Sequence, residues 1–299
     1  MKITVLTSTY NRGERIHKLY KSLLEQTDKE FEWIIVDDGS EDNTEKIVEK
    51  FIDDGKIIIK YYKKQNGGKH TALNIGIGKI KTDLTFIVDS DDWLEKNAIE
   101  NIKKYHEKYK NNDEICGYSF LRKYSNGTIN GKLFKTNELI DDYINVRING
   151  NDTNSDKAEV WKTKYLKEYP FPEFEQEKFL GEDVVWIQLA LKYKMVFLNE
   201  AIYVSEYLEE GLTKNRRRNN INSPNGCYYR SKITLEACSL RKINFKYFIK
   251  NLLQLQIYGR FAGKKYKEMK KDCKCKLYFE IMYPLSYALY LKWKNNNEL

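Results

Sequence analysis

Two short acidic clusters, each directly after an apolar, β-branched run, constrain this chain more than any other feature. Asp37 and Asp38 follow the run 33–36, and the cluster 89–92 follows the run 84–88. Such runs predict strands covered on both faces, so both clusters are expected at strand C-terminal ends, where open α/β sheets bind ligands. Acidic residues there can simply form turns or cap helices. Converging carboxylates repel one another, however, and a Mg²⁺ or Mn²⁺ ion with oxygen ligands explains two clusters better.

The first 110 residues alternate between strand and helix patterns. Strands are predicted at 3–8, 31–36, 57–62 and 84–88, and helices at 16–24, 44–51, 71–77 and 96–109. Such βα alternation predicts a mainly parallel sheet flanked by helices, joined by right-handed crossovers.

The pattern changes after residue 112. Residues 115–124 and 129–134 flank the turn 125–128 and predict a hairpin. A less regular stretch, 136–179, precedes a predicted helix at 182–193 and a strand at 195–204. We therefore divide the chain into 1–112, 113–210 and a mainly helical region, 211–299.

Charge is unevenly distributed along the chain. Residues 211–299 contain 20 Lys and Arg against 5 Asp and Glu, a net charge of +15, whereas the whole chain carries +9. A basic region of this kind predicts an anionic partner, with nucleic acid, an anionic membrane and phosphate-bearing ligands as the candidates. Five irregularly spaced cysteines fit reduced thiols, and neither a signal peptide nor a spanning segment is evident, so a cytoplasmic location is expected.

Five short motifs occur in order along residues 1–215: VLTSTYN at 5–11, VDDGS at 36–40, NGGKH at 66–70 with Asn74, DSDD at 89–92, and ED at 182–183. Together they resemble the motifs of family 2 glycosyltransferases of the GT-A fold, among them bacterial capsule and exopolysaccharide enzymes. The resemblance implies a Rossmann-like sheet, here followed by the basic helical region. It also implies an inverting transferase that uses a UDP-sugar donor and Mn²⁺ or Mg²⁺.

The first motifs are expected to bind the nucleotide part of the donor. By resemblance, the carboxylates of Asp37 and Asp38 recognise the uracil base by hydrogen bonding. Capping of the next helix is an alternative role. Thr9, Tyr10 and Asn11 end the first strand, where they are expected to bound the same base or simply pack.

The glycine-rich loop 66–68 leads into a helix, and glycines there allow backbone N–H groups to approach an anion. Lys69 adds a positive charge for the diphosphate, and Asn74 is placed on the nucleotide-sugar side. The plain alternative is a turn and a helix start.

In the DxD-type cluster the resemblance assigns Asp89 and Ser90 to the donor. It assigns Asp91, together with Asp92, to the metal, which would neutralise the diphosphate. Capping of the next helix is a second role for Asp92.

Glu182 and Asp183 open a predicted helix, where acidic residues also favour the helix dipole. By resemblance, Asp183 is the general base that takes the proton of the acceptor hydroxyl, and Glu182 lies on the acceptor side. Arg216 and Arg217 belong to a run of three arginines suited to closing over a diphosphate. A solvated charge run is the simpler interpretation.

Two other functions remain open from sequence. A nucleotidyltransferase would carry a basic, Gly-rich loop right after the first strand, and residues 9–13 do not supply one. A nucleotide-sugar- or nucleic-acid-binding protein without transferase activity is the other alternative. Nucleic acid is a poor candidate, because the sequence contains neither an RNA-binding motif nor a zinc finger.

A lipid-linked surface glycan is the expected acceptor. The lysine-rich, aromatic segment 264–293 is expected to touch an anionic membrane at the inner face of the cell membrane. The alternatives are that it packs as helices on the catalytic domain or forms a homo-oligomer.

Overall fold

Parallel strands and helices alternate through the first third of the molecule. The computed structural model describes residues 2–206 and 216–296, the side chains of Arg216 and Asn296 excepted. Its first elements are β1 (Ile3–Thr9), α1 (Gly13–Leu24), β2 (Phe31–Asp37), α2 (Thr44–Asp53), β3 (Ile59–Lys63), α3 (Lys69–Lys79), β4 (Leu84–Ile87), β5 (Trp93–Leu94) and α4 (Ala98–Tyr109). The predicted alternation is confirmed, with boundaries shifted by a few residues.

The rest of the chain is less regular up to residue 206 and then helical. The elements are β6 (Ile115–Tyr124), β7 (Leu139–Asp141), a π-helical turn (Ile144–Asn149), β8 (Lys157–Lys162), α5 (Thr163–Leu166), α6 (Asp183–Ala190) and β9 (Lys194–Ser205), then α7 (Arg216–Ile221), α8 (Pro224–Leu240), α9 (Phe245–Phe261), α10 (Tyr266–Asp272) and α11 (Lys276–Asn296). Every regular element among residues 216–296 is a helix, as predicted. None of the helices in the described ranges combines the length and apolar character needed to cross a bilayer.

One mixed sheet runs through both predicted halves, in the order β3-β2-β1-β4-β8-β6-β9-β5, with β7 also on β9. Strands β1 to β4 are mutually parallel, and β9 is parallel to β6. β8 lies between β4 and β6 and is antiparallel to both. The predicted α/β class with a large helix-flanked sheet is therefore confirmed, and β8 ties residues 113–210 to the parallel strands.

The predicted hairpin partner at 129–134 is wrong. Only an isolated bridge joins Lys123 to Ile129, and β6 pairs with β8 and β9 instead. β8 lies within the stretch 136–179, whose sequence pattern is irregular. The lysines at both ends of β8 obscure its strand pattern. Both lysines are buried: Lys162 donates to the last carbonyls around the end of α4, and Lys157 pairs with Asp152. The helix α6 is also shorter than predicted and ends at Ala190.

Apolar layers cover both faces of the sheet. One contains α1, α2 and α4 over side chains such as Trp33 and Phe86; the other contains α3 and α6, where Trp186 stacks on Trp161 at 4.2 Å between ring centroids. A third cluster lies within the C-terminal helices. Because α8 also contributes Ala237 to the second layer, the C-terminal helices pack directly against the sheet domain.

Candidate active site

The predicted site residues converge where the parallel strands end. Thr9 at the end of β1 pairs in register with Asp37 at the end of β2, and β4 runs parallel to β1 on its other side. The loop after β4 therefore emerges at the same edge of the sheet. The first residue of α3, Lys69, and the first of α6, Asp183, reach this edge from the helices.

Lys69 connects the two predicted parts of the site. Its Nζ lies 2.5 Å from Asp89 Oδ1 and 2.5 Å from Glu182 Oε1. Burial by itself would lower the pKa of Lys69, but the charges of these two carboxylates raise it well above its ordinary value. The lysine is therefore a fixed cation between the DxD-type loop and the start of α6.

Arg122 on β6 is a second cation in this cluster, and sequence reasoning missed it. Its Nη1 lies 3.2 Å from Asp89 Oδ2 and 3.6 Å from Asp92 Oδ2, and its guanidinium stacks over the Tyr203 ring at 3.9 Å. Burial would raise the pKa of Asp89, but Lys69 and Arg122 lower it well below the usual range. The sequence feature that could have identified Arg122 is a charged residue within the otherwise apolar run of β6.

Asp92 is directed into the protein. Its carboxylate accepts hydrogen bonds from Tyr203 Oη at 2.9 Å, Ser205 Oγ at 3.3 Å and the backbone N–H of Glu206 at 3.1 Å. Burial and the nearby charge of Asp89 raise the pKa of Asp92 to about 7. These contacts join the DxD loop to the end of β9, a role that competes with metal binding.

Asp91 is the more available carboxylate for a cation. Its side chain is 24% exposed, and one of its oxygens forms an ion pair with Arg12 Nε at 3.6 Å. Within the described ranges no three His, Cys, Asp or Glu side chains form a ready-made metal site. Mg²⁺ is often held by only one or two carboxylates plus substrate phosphates, so Asp91 fits this type of binding.

Asp37 and Asp38 are both buried and engaged by the protein itself. Asp37 accepts from Tyr61 Oη at 2.5 Å and from the backbone N–H of Ser40 at 2.7 Å. Asp38 accepts from the backbone N–H groups of Gly67 and Gly68, at 2.9 and 2.6 Å, and from the Lys64 ammonium. Asp38 therefore holds the glycine loop in front of Lys69. The sequence did not predict this role, which competes with uracil binding.

The residues after β1 line the same edge. Thr9 Oγ1 is buried and has no hydrogen-bond partner among the described residues, whereas Tyr10 is 45% exposed. Asn11 adopts a positive φ of 51° and joins two loops, because its N–H donates to Ser40 Oγ and its Oδ1 accepts from the N–H of Glu41. Tyr10 is thus exposed to solvent at the strand ends, Thr9 is buried beside it, and Asn11 shapes the loop.

Asp183 forms the other ion pair that sequence reasoning missed. Both oxygens of its carboxylate accept hydrogen bonds from the fork of Arg230 on α8, with Nε at 2.6 Å from Oδ1 and Nη2 on Oδ2. The side chains are 20% and 16% exposed, respectively. Burial would lower the pKa of Arg230, but Asp183 raises it well above its ordinary value. No local pattern in α8 marks Arg230, since the pair exists only in the folded chain.

Four predicted residues remain, and three of them, Asn74, Arg216 and Arg217, either lie elsewhere or have a side chain outside the described part of the chain. Asn74 exchanges hydrogen bonds with the backbone of Phe171 and therefore anchors a loop. Ser90 is buried in the DxD loop. The guanidinium of Arg217 lies over the Trp293 ring at 5.1 Å, away from the acidic cluster. Residues 207–215 and the Arg216 side chain, the rest of the predicted phosphate-closing segment, lie outside the described residues.

Comparison with known sequences identifies relatives of one kind. A family model described as glycosyl transferase family 2 matches residues 4–158. The glycosyltransferase GlyA of Streptococcus pneumoniae is 28% identical over 226 residues, 71% of this chain and 32% of GlyA. The poly(ribitol-phosphate) beta-N-acetylglucosaminyltransferase TarP of Staphylococcus aureus is 37% identical over 120 residues, 39% of this chain and 36% of TarP. The matches thus span about a third of each of these relatives.

Solved structures share the fold. TarS 1-349 of S. aureus in complex with UDP-GlcNAc superimposes with a TM-score of 0.63 at 20% identity, covering 98% of this chain and 89% of TarS 1-349. The mannosyltransferase PcManGT of Pyrobaculum calidifontis, in complex with GDP-Man and Mn²⁺, gives 0.59 at 16% identity, covering 98% of this chain and 82% of that one. The superposition with TarS 1-349 extends over nearly the whole chain, so its C-terminal helices are part of the shared architecture.

Proposed function

The chain belongs to glycosyl transferase family 2, and we propose that it transfers a sugar from a UDP-sugar to a hydroxyl group of a glycan acceptor. The observation that carries the proposal is the Asp89–Lys69–Glu182 cluster at the C-terminal strand edge. It joins a DxD-type loop to the start of α6, so the proposed donor and acceptor motifs lie side by side.

The UDP moiety is proposed to lie along the ends of β1 and β2. The exposed Tyr10 ring borders this edge and would meet the uracil, and the buried, unpartnered Thr9 hydroxyl, Asp37 and Asp38 would line the edge below it. Asp89 and Ser90 would position the sugar and ribose. The complex of TarS with UDP-GlcNAc, a protein of the same fold, supports a uridine nucleotide as the donor.

A divalent cation, Mn²⁺ or Mg²⁺, is proposed to bind at Asp91. Three cations near the DxD loop are already matched: Lys69 by two carboxylates, Arg122 by Asp89 and Asp92, and Arg12 by Asp91. A diphosphate would therefore bring uncompensated negative charge, and the cation would neutralise the charge growing on the departing UDP. The Mn²⁺ in the PcManGT complex, which has the same fold, supports this assignment.

Asp183 is proposed as the general base. It would take the proton of the acceptor hydroxyl as that oxygen attacks C1 of the sugar, on the face opposite the leaving UDP. Direct displacement inverts the anomeric centre, so an α-linked UDP-sugar yields a β-linkage. Arg230 would orient the carboxylate, and Glu182, fixed by Lys69, would contact the acceptor.

The acceptor is proposed to be a growing lipid-linked surface polysaccharide, such as a capsule, assembled at the cytoplasmic face of the membrane. The relative TarP, a poly(ribitol-phosphate) beta-N-acetylglucosaminyltransferase, supports a polymer as the acceptor. Residues 1–112 would hold the donor and residues 113–210 the acceptor. The basic helices of 211–299 would complete the site through Arg230.

UDP release from a panel of UDP-sugars, with Mn²⁺ and with chelator, tests the proposal. We expect slow, metal-dependent hydrolysis of one donor. We expect Asp183→Asn to lower turnover at least ~10²-fold with donor affinity kept, because a general base contributes that much and touches only the acceptor. Asp272→Asn is the matched control, since Asp272 also pairs with a cation on α8, Lys232, but lies away from the strand edge. Normal turnover in Asp183→Asn would refute the assignment of the base.

A further inference from the structure

The last helix, α11, has one buried and one exposed side. Its inner side packs on α9: Phe279 and Ser286 are fully buried, Tyr290 meets Phe261 at 4.8 Å between ring centroids, and Arg260 lies over the Tyr283 ring at 4.3 Å. These contacts fix which half of the helix faces outward.

The outward side of α11 is almost entirely apolar. Residues at the 100° helical spacing that point away from α9 have between 40% and 71% of their surface exposed: Leu277, Tyr278, Ile281, Leu285, Tyr287 and Leu291. Phe245, 60% exposed, extends this surface at Tyr278. Exposed apolar residues occur singly on most soluble proteins, whereas a continuous row of this length marks an interaction surface.

Charge surrounds this row without interrupting it. Glu280 is the only charged residue between Leu277 and Leu291, and it is bound by Tyr266 and Lys270 within the protein. Lysines flank both ends of α11, and three more lie in α10, the helix before it. Residues 264–294 contain nine lysines and three acidic residues, a net charge of +6.

We propose that the outward side of α11 docks on an anionic lipid bilayer, with the helix lying in the plane of the interface. A helix with an apolar face, interfacial Tyr residues and a lysine border matches the chemistry of lipid headgroups over acyl chains. Charge complementarity selects this occupant over a second copy of the chain, because two copies would bring two patches of +6 together. The proposal does not depend on the transfer reaction, since membrane binding is measured without donor or acceptor.

Co-sedimentation of the full chain with vesicles tests the proposal. We expect binding to vesicles of phosphatidylglycerol and phosphatidylcholine, and weak binding to phosphatidylcholine alone. Raising the salt from about 0.1 M to about 1 M shortens the Debye length from about 10 Å to about 3 Å and should release the protein. Reversing the three lysine charges in Lys267→Glu/Lys271→Glu/Lys274→Glu should weaken binding more than 100-fold, because each lysine near an anionic surface contributes about fivefold.

The apolar face is tested separately with Ile281→Glu/Leu285→Glu, which should abolish binding to anionic vesicles while UDP release in solution is unchanged. The matched control is Ile58→Glu/Leu133→Glu, which changes apolar residues of similar exposure, 52% and 63%, on the catalytic body. Circular dichroism and UDP release verify folding, and if the double variant misfolds, single Ile281→Gln replaces it. Binding that ignores lipid charge, or that survives both the lysine reversal and Ile281→Glu/Leu285→Glu, overturns the proposal. So does a dimer in light scattering that Ile281→Glu/Leu285→Glu converts to monomer, because the surface would then bind a second copy.

Discussion

Arg230→Met is the perturbation that examines the proposed base most directly. Arg230 donates both arms of its guanidinium to the carboxylate of Asp183, in a pair that is four-fifths buried. Removing the cation takes away the guanidinium that pairs with a mostly buried carboxylate. A neighbouring cation favours the charged form of a carboxylate by one to three pH units, so its loss should make Asp183 protonate at higher pH.

The loss of the Arg230 positive charge determines the expected kinetic result. The acidic limb of the pH profile of kcat/KM should move upward by about one to three pH units. Turnover at neutral pH should fall by less than the ~10²-fold expected for Asp183→Asn, since the base remains but loses its fixed orientation. Breaking the pair should also cost stability, about 3 kcal/mol, the lower end for a buried pair because this one retains some exposure.

The assay is UDP release at saturating acceptor or, without acceptor, donor hydrolysis from about pH 5 to 9, with urea unfolding in parallel. Arg230→Lys retains the charge but loses the fork, so its pH profile should hardly move while kcat falls. Arg241→Met, which removes a similar arginine from the pair with Asp142, should leave the pH profile as it is. An unshifted profile with normal turnover in folded Arg230→Met would refute the view that Asp183 works as the base under control of Arg230.

Three further predictions rest on other contacts. Asp91→Ala should abolish Mn²⁺-dependent UDP binding in calorimetry without unfolding the protein, and equal UDP binding with Mn²⁺ and with chelator in the wild type would exclude the metal. Asp38→Ala should weaken pyrophosphate as well as UDP, because it releases the loop before Lys69; loss of UDP affinity alone would return Asp38 to uracil recognition. Burial, with the charge of Lys162 nearby, lowers the pKa of His106 to about 4. An unfolded His titrates near 6.5, so acidification from about pH 6.5 to 4 should cost about 3 kcal/mol of unfolding free energy. In urea titrations His106→Gln should lose this part of the pH dependence, and a wild-type-to-variant difference that is constant with pH would contradict it.

The sequence by itself determined the parallel core and the edge that carries the site. The run 33–36 lies in β2, all of which is buried, and such a strand needs cover on both faces wherever it lies. Acidic residues after β2 and β4 then had to emerge at one edge, since parallel strands end on the same side. Five ordered motifs added the family, which the match to residues 4–158 confirmed.

Tertiary structure alone decided which charges meet. β8 has charged residues at both ends and in its middle, and it is a strand because β4 and β6 pair with it on both sides. Arg230 meets Asp183 from 47 residues away, and Arg122 meets Asp89 from 33 residues away. Local periodicity reports which face of an element is buried. A salt bridge between distant elements depends on how those elements pack, and that information is not contained in any single stretch of the chain.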